Sequence, residues 1–350
     1  MEKKSPTLSV CIVTWNSMKF IQDCLESILR QRVFLDNTQV DWTINIVDNG
    51  SEDGTVEFIK KNYAQIKILK NVNNLGFCRA YNQAIKMHNS DWVLLLNVDT
   101  ILEQNFFEEM FKVILTTEER IGALGPKVLR SETVIEDGLP KVLKSNRLDS
   151  CGLEIKKSRL VRNIGEGEED SGQYDDHGEF FGFSGTAIFL KREALEDVKI
   201  GEEILDEDFF AYQDDFDLFY RLRNYGWHNL FVSQAKVYHF RSAKMNILKP
   251  WQFWQIIRAR RSKSLLINYH SYKNHLWALI KNETWLNFLY HSPYIFWLEF
   301  KKFIFILFFE QKTLKSIKIF FKLLPKMLFK RKIIMSRKKV NPQELRKWFK

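Results

Sequence analysis

The sequence predicts an α/β fold in which a mainly parallel sheet is flanked by helices, and two observations carry that prediction. Apolar, β-branched runs alternate with segments whose apolar residues recur at helical spacing throughout the first third of the chain. The 350 residues, 45% apolar with only 15 Gly and 7 Pro, also suffice for one large core plus an appendage. Four cysteines, Cys11, Cys24, Cys78 and Cys151, show no paired spacing, which argues against a zinc site or a disulfide framework and for a reducing cytoplasm.

The elements follow in order. LSVCIVTW (8–15) reads as a strand, and residues 16–31 as a helix with Phe20, Ile21, Cys24, Leu25 and Ile28 on one face. TINIVDNG (43–50) is a strand ending in a polar turn; residues 51–63 open with Ser51 as a cap and an acidic first turn before a helix. Strands at 66–71 and within SDWVLLLNVDT (90–100) then alternate with helices at 76–88 and 104–117. Further on, Phe216, Leu218, Phe219, Leu222 and Tyr225 mark a helix opened by Asp214 and Asp215, and AKVYHF (235–240) is a short strand. The polar, Gly- and acid-rich stretch between Arg130 and Phe180, which includes residues 165–179, is either a mobile loop over the acceptor side or a solvated insertion, and both readings stand.

In open parallel sheets ligands bind beyond the carboxyl ends of the strands. The polar groups collected there are Thr14 and Asn16, then Asp48, Asn49 and Ser51, then Asn73 and Asn74, then Asn97 and Asp99. No G-x-G-x-x-G or Walker loop follows the first strand, which excludes the usual dinucleotide and P-loop readings.

Taken in sequence order, SVCIVTWNS, IVDNGSEDGT, NNLGFCRAYNQAI, WVLLLNVDT, GALGPKVL, GFSGTAIFLKREAL, DEDFFAYQDDFDLFYRLRNYGW and VYHF resemble the inverting glycosyltransferases of family 2, in the rhamnosyltransferase-like branch that builds O-antigen and cell-wall polysaccharides. The resemblance covers residues 8–240 and implies a GT-A fold, a nucleotide-sugar donor and a divalent cation, Mg²⁺ or Mn²⁺. It makes Asp99 the main carboxylate ligand, with Asn97 where the family's Asp-x-Asp motif has its first acid, and His239 a further metal ligand. Asp48 would accept from the donor's base, while Thr14 and Asn16 line the base and ribose pocket. Asn74, Gly76 and Arg79 would approach the donor; a tight turn at Gly76 and a solvated Arg79 stand as alternatives. Asp53 is assigned to its own helix terminus. Asp215 matches the family's general base and Asp214 its orienting neighbour, whereas Asp217 caps or salt-bridges the helix; capping of the helix by all these acids is the competing reading. Gly182, Ser184 and Gly185 would form the acceptor side.

Charge divides the chain. Residues 251–350 hold 22 Lys and Arg against 4 Asp and Glu, a net +18, so the remaining 250 residues carry a net −8. The boundary near residue 249 separates a transferase body, with a nucleotide-sugar half at about 8–129 and an acceptor half at about 130–249, from a basic, aromatic helical region at 250–350. FIFILFF (303–309) is too short to span a bilayer. Lys312, Lys315, Lys318, Lys322, Lys326 and Lys330 share a helical face opposite a mainly apolar one, which predicts a helix lying on an anionic membrane. A soluble appendage or a homo-oligomer contact is the alternative. The acidic body and the lack of a recognised module exclude nucleic acid, and the N-terminal residues carry no apolar run of signal-peptide length.

The expected protein is therefore a cytoplasmic transferase, peripheral on the inner face of the membrane. It would move a sugar, with dTDP-rhamnose as first donor candidate, to a polyprenyl-pyrophosphate-linked saccharide. A catalytically inactive nucleotide-sugar-binding scaffold is the rival from another class. A processive synthase is disfavoured by the absence of spanning helices and of a Gln-x-x-Arg-Trp motif.

Overall fold

A computed structural model describes residues 5–35, 38–117, 120–136, 139–240, 253–261 and 264–350. The first part is regular βα alternation: β1 (Leu8–Thr14), α1 (Ile21–Leu29), a small hairpin β2 (Phe34–Leu35) and β3 (Thr38–Gln39), β4 (Trp42–Asp48), α2 (Thr55–Asn62), β5 (Lys67–Lys70), α3 (Phe77–Lys86), β6 (Trp92–Asn97), β7 (Thr100–Leu102) and α4 (Phe106–Thr116). Then come β8 (Ile121–Glu136), β9 (Leu139–Ser150), β10 (Leu153–Ile155), β11 (Val161–Asn163), β12 (Ala187–Lys191), α5 (Arg192–Val198), α6 (Asp214–Asn224) and β13 (His228–Phe240). The C-terminal helices are α7 (Phe253–Arg261), α8 (Leu265–Asn282), α9 (Trp285–Phe309), α10 (Lys315–Ser336) and α11 (Pro342–Arg346).

The main sheet runs β5-β4-β1-β6-β12-β8-β13-β7, with β9 paired to β8. β5, β4, β1 and β6 are parallel, as are β8 and β13. β12 enters antiparallel between β6 and β8, and β7 and β9 are also antiparallel to their neighbours. The sequence pattern could not foresee those insertions, because an apolar run carries no sign of strand direction.

Strand alternation sorts the core into two layers. Val10, Ile12, Leu94, Leu96 and Phe189 pack with Cys24, Leu25, Ile28, Phe106, Phe107 and Phe111 of α1 and α4 on one face. Cys11, Val93, Leu95 and Leu190 pack with Cys78, Tyr81 and Ile85 of α3 and with Phe216, Phe219 and Tyr220 of α6 on the other. A strand buried on both faces must be apolar at every position, which is why β1 and β6 read as continuous runs.

Three expectations need correction. Helix α2 starts after Gly54, left-handed at φ 87°, with no side-chain cap; Ser51 instead donates to Asp48 and accepts from the Asn16 amide. Much of the stretch between Arg130 and Phe180 is strand, in β8 to β11, and its part 165–179 is fastened to the body: Lys127 of β8 bonds Asp170 at 2.8 Å and Asp175 at 2.5 Å, and backbone bonds join Leu148 to Glu168 and Gly167. The lysine face of α10 meets protein at its far end. Lys330 bridges Glu203, Asp206 and Asp208, and Lys326 pairs with Asp208, so part of the tail's charge neutralises the acidic body.

The boundary expected near residue 249 lies outside the described residues, but the helices after it pack against the body. Helix α8 contacts α6 and α10. The C-terminus returns to β10, where Lys350 donates to the Ile155 carbonyl at 2.9 Å and Phe349 lies 3.7 Å beneath the Arg159 guanidinium.

Candidate active site

The carboxyl ends of β1, β4 and β6 form one rim. At its β1–β4 corner the chain satisfies itself: Asp48 is fully buried and accepts from the Thr14 and Ser51 hydroxyls and from the amides of Gly50 and Ser51. Its oxygens are thus committed to shaping the turn, leaving little capacity for a base. Asn16, left-handed at φ 50°, accepts from the Glu52 amide, and Asp53 accepts from Met18 and Thr55, which agrees with the structural role expected of it. Between Thr14 and Asn16 stands Trp15, 57% exposed. Sequence reasoning passed over it, although an indole breaking a polar turn was the visible signal.

The next corner is an amide network. Asn74 accepts from Gly76 N and Asn49 Nδ2, and Asn49 Oδ1 accepts from Leu75 N and Asn71 Nδ2. These bonds fold the turn that delivers Gly76, at φ +90°, against the catalytic-side loop: a Cβ there would sit 2.5 Å from the Phe210 ring and 2.9 Å from its carbonyl oxygen. The close approach, together with the positive φ, is what requires glycine. Arg79 faces Glu207 at 3.7 Å, with both side chains partly exposed.

Asp99 follows β6, and the register of β13 with β7 places His239 opposite Thr100. His239 Nε2 lies 3.4 Å from Asp99 Oδ2, while its Nδ1 is 2.9 Å from Asp149 Oδ2. Burial works against the imidazolium, but the Asp149 and Asp99 carboxylates outweigh it and raise His239 to about 9. Asp149, itself fully buried, fixes the ring so that Nε2 turns toward Asp99. The spacing suits a divalent cation that displaces the Nε2 proton, because two ligands each about 2.1 Å from one ion lie roughly 3.0–3.4 Å apart. Among the described residues no group of three or more His, Cys, Asp or Glu converges in this way. Asp149 carried no sequence signal, since its partner is 90 positions away.

Helix α6 presents the acids. Asp214 is buried and Asp215 partly open at its N-terminus. Burial raises both carboxyls, Asp214 further because Asp215 and Asp217 add their charges, whereas amides of Phe216 and Gly185 donate to Asp215 and favour its anion. Asp217 is the structural member, bonded to Arg221, Lys281 and Asn282. Segment 182–186 joins the two halves: Asn97 N donates to the Thr186 carbonyl at 2.9 Å, and Gly185 N to Asp215 Oδ2 at 3.2 Å. Gly185 faces open space, and Ser184 donates to Thr186. Gly182 is a packing position, not pocket floor, since a Cβ would reach within 2.2 Å of the Phe219 ring.

The model of the family described as "Glycosyl transferase family 2" matches residues 9–198, more than half of the chain. The chain belongs to that family. This family 2 glycosyltransferase is 24% identical over 226 residues to the N-acetylglucosaminyl-diphospho-decaprenol L-rhamnosyltransferase of Mycobacterium tuberculosis, covering 57% of this chain and 67% of that one. It is 28% identical over 149 residues to the dolichyl N-acetyl-alpha-D-glucosaminyl phosphate 3-beta-D-2,3-diacetamido-2,3-dideoxy-beta-D-glucuronosyltransferase of Methanococcus voltae, covering 40% of this chain and 45% of that one. Its fold matches GalNAc-T7, solved with UDP, GalNAc and Mn²⁺, at a TM-score of 0.55 and 14% identity. That match covers 80% of this family 2 chain but only 48% of GalNAc-T7. The fold is accordingly of the GT-A glycosyltransferase type, and the chain is a rhamnosyltransferase-like member of its family.

Proposed function

We propose that this enzyme transfers a sugar from a nucleotide-sugar donor, dTDP-rhamnose being the first candidate, to a lipid-linked saccharide, with inversion. The observation that carries the reading is the pairing of the partly exposed Asp215 with the Asp99–His239 pair through segment 182–186. Asp215 takes the proton from the acceptor hydroxyl as its oxygen bonds to the anomeric carbon, and the nucleoside diphosphate leaves from the opposite face with the bonding electrons. Asp99 and His239 would hold a divalent cation, with Asn97 alongside, and the ion when bound offsets the charge that develops on the pyrophosphate. Asp214 keeps Asp215 oriented, and Trp15 and Asn16 stand where the nucleoside would lie. The lipid-linked acceptor is supported by the decaprenol- and dolichyl-linked sugars in the two relatives' names.

The direct test is nucleoside diphosphate release from dTDP-, UDP- and GDP-sugars with Mg²⁺ or Mn²⁺ and a bacterial membrane extract. Extract-dependent release from one donor is expected, and no turnover from any donor would favour a nucleotide-sugar-binding scaffold.

Docking to the inner face of the membrane belongs to the same reading, but the surface for it is α9. Tyr290, Phe296, Trp297, Phe300 and Phe308 stand exposed there. Among the described residues no helix is long and apolar enough to cross a bilayer. Aromatic side chains beside a strongly basic region favour an anionic headgroup layer. The enzyme is expected to float with vesicles containing anionic lipid, and the Trp297→Glu/Phe300→Glu variant to stay behind; equal flotation of both would remove α9 from the reading.

A further inference from the structure

The segment that leads into Asp214 is held in a conformation that its own residues disfavour. Phe210, Tyr212 and Gln213 are left-handed, at φ 68°, 70° and 64°, three non-glycine residues within four positions. Such residues cost about 1–3 kcal/mol each and persist only where the surroundings over-determine them. Two fastenings are evident. On the donor side, the Cys78 amide donates to the Phe210 carbonyl at 3.1 Å, and the Phe210 ring lies over Gly76. On the other side stands α8, from the C-terminal helices. The Asn274 Nδ2 lies 2.9, 2.8 and 2.8 Å from the carbonyl oxygens of Phe209, Ala211 and Tyr212, and the His270 ring stacks on Phe210 with 5.1 Å between centroids.

Asn274 is fully buried. An amide nitrogen has two protons, so three carbonyls share them, and an amide turned the other way would aim its oxygen at three oxygens. The side chain therefore fits only with its donor toward the loop. Three carbonyls drawn to one point also prescribe how the peptide planes of residues 209–212 rotate, and that rotation produces the left-handed turn from which α6 begins.

The geometry points to Asn274 as a positioning residue for catalysis: the C-terminal helices are part of the catalytic apparatus, fixing through this amide the loop that aims Asp214 and Asp215. This rests on the reading of Asp215 as the base. The strand ends of β1, β4 and β6 are built without α8, and the loop touches the donor side only where Phe210 meets Gly76 and Cys78, so loosening it is expected to act mainly on Asp214 and Asp215. A shift of about 1 Å at a reacting group is enough to cost on the order of 100-fold.

The test uses the full chain, the donor that the wild type turns over, and Asn274→Leu, which keeps the branched shape, with somewhat more bulk, and removes the hydrogen-bond donor. Expected are a kcat lowered about 10- to 100-fold per nucleotide-binding site, a donor KM within about twofold, and full nucleoside diphosphate stoichiometry by calorimetry. A merely structural role would lower the number of binding sites and leave kcat per site unchanged. Asn274→Ser, which keeps one donor, is expected to fall between wild type and Asn274→Leu, and it decides the matter if the leucine variant does not fold. Wild-type kcat per site in either folded variant overturns the inference, and so does loss of binding sites in both, which would make Asn274 a folding residue. A wild type that turns over no donor fails the functional reading itself; turnover with an unaffected Asn274→Leu fails this inference alone.

Discussion

Asp215→Asn is expected to lower kcat by about 10³-fold while donor KM changes less than threefold. The carboxamide fills the same space but keeps one acceptor oxygen, enough for one of the two amides, Gly185 and Phe216, that donate to different oxygens of Asp215. What disappears is the proton acceptor. Neighbouring Asp214 cannot substitute, because it is buried, and burial, the largest cause of its raised value, persists in the variant together with the charge of Asp217. The same environment sets the pH dependence. Both carboxyls are raised above their unfolded values, so the base is protonated and idle at low pH and gains activity as pH rises through the raised value. The acid limb of kcat/KM should thus lie above the ordinary carboxylate value of about 4 and vanish with the residual activity in Asp215→Asn. A variant within tenfold of wild type, or an acid limb at about 4, would take the base away from Asp215.

How far the site could be read from sequence depended on the distance between partners. Asp99, Asp215 and His239 each stand at an element terminus that local pattern reveals, and the buried strands that carry the rim announce themselves as unbroken apolar runs. Asn274 and Asp149 did not, since a buried asparagine in a helix and an aspartate in a polar stretch look the same whether or not something 60 to 90 positions away needs them. Lys326 and Lys330 of α10 escaped the sequence for a different reason. Their periodicity gave the face, but a lysine is equally suited to lipid phosphate and to Asp206 and Asp208 of its own chain, and only the packing of α10 over α8 decides between them. Gly76 and Gly182 show the limit for small residues: the sequence marks both, but what excludes a Cβ at each is a phenylalanine from a distant segment.

The same packing makes Lys281 a costly position to change outside the candidate active site. Its ammonium, fully buried, lies 2.5 Å from Asp206 and 2.8 Å from Asp217, and so ties α8 to the segment before the catalytic loop and to α6 after it. Burial alone would keep both carboxyls protonated; Lys281, helped by Lys330 at Asp206 and Arg221 at Asp217, outweighs it and holds both below the usual range. Replacing the lysine with methionine keeps the stem and strands two buried anions with one cation each. Removing one partner of such a cluster costs about 3–5 kcal/mol. The loss should depend on pH in a defined sense. In the wild type the depressed carboxyls contribute stability that is complete above their unfolded value of about 4 and is lost only as pH falls below it. In Lys281→Met the stranded carboxyls rise instead, so the variant recovers stability by taking up protons as pH falls. Urea unfolding should therefore show the widest gap between the two proteins near pH 7 to 8 and a narrower one near pH 5. A gap below about 1 kcal/mol at pH 7 would mean that Lys330 and Arg221 suffice, and a gap that widens on acidification would mean that the cluster does not hold its charges as ions.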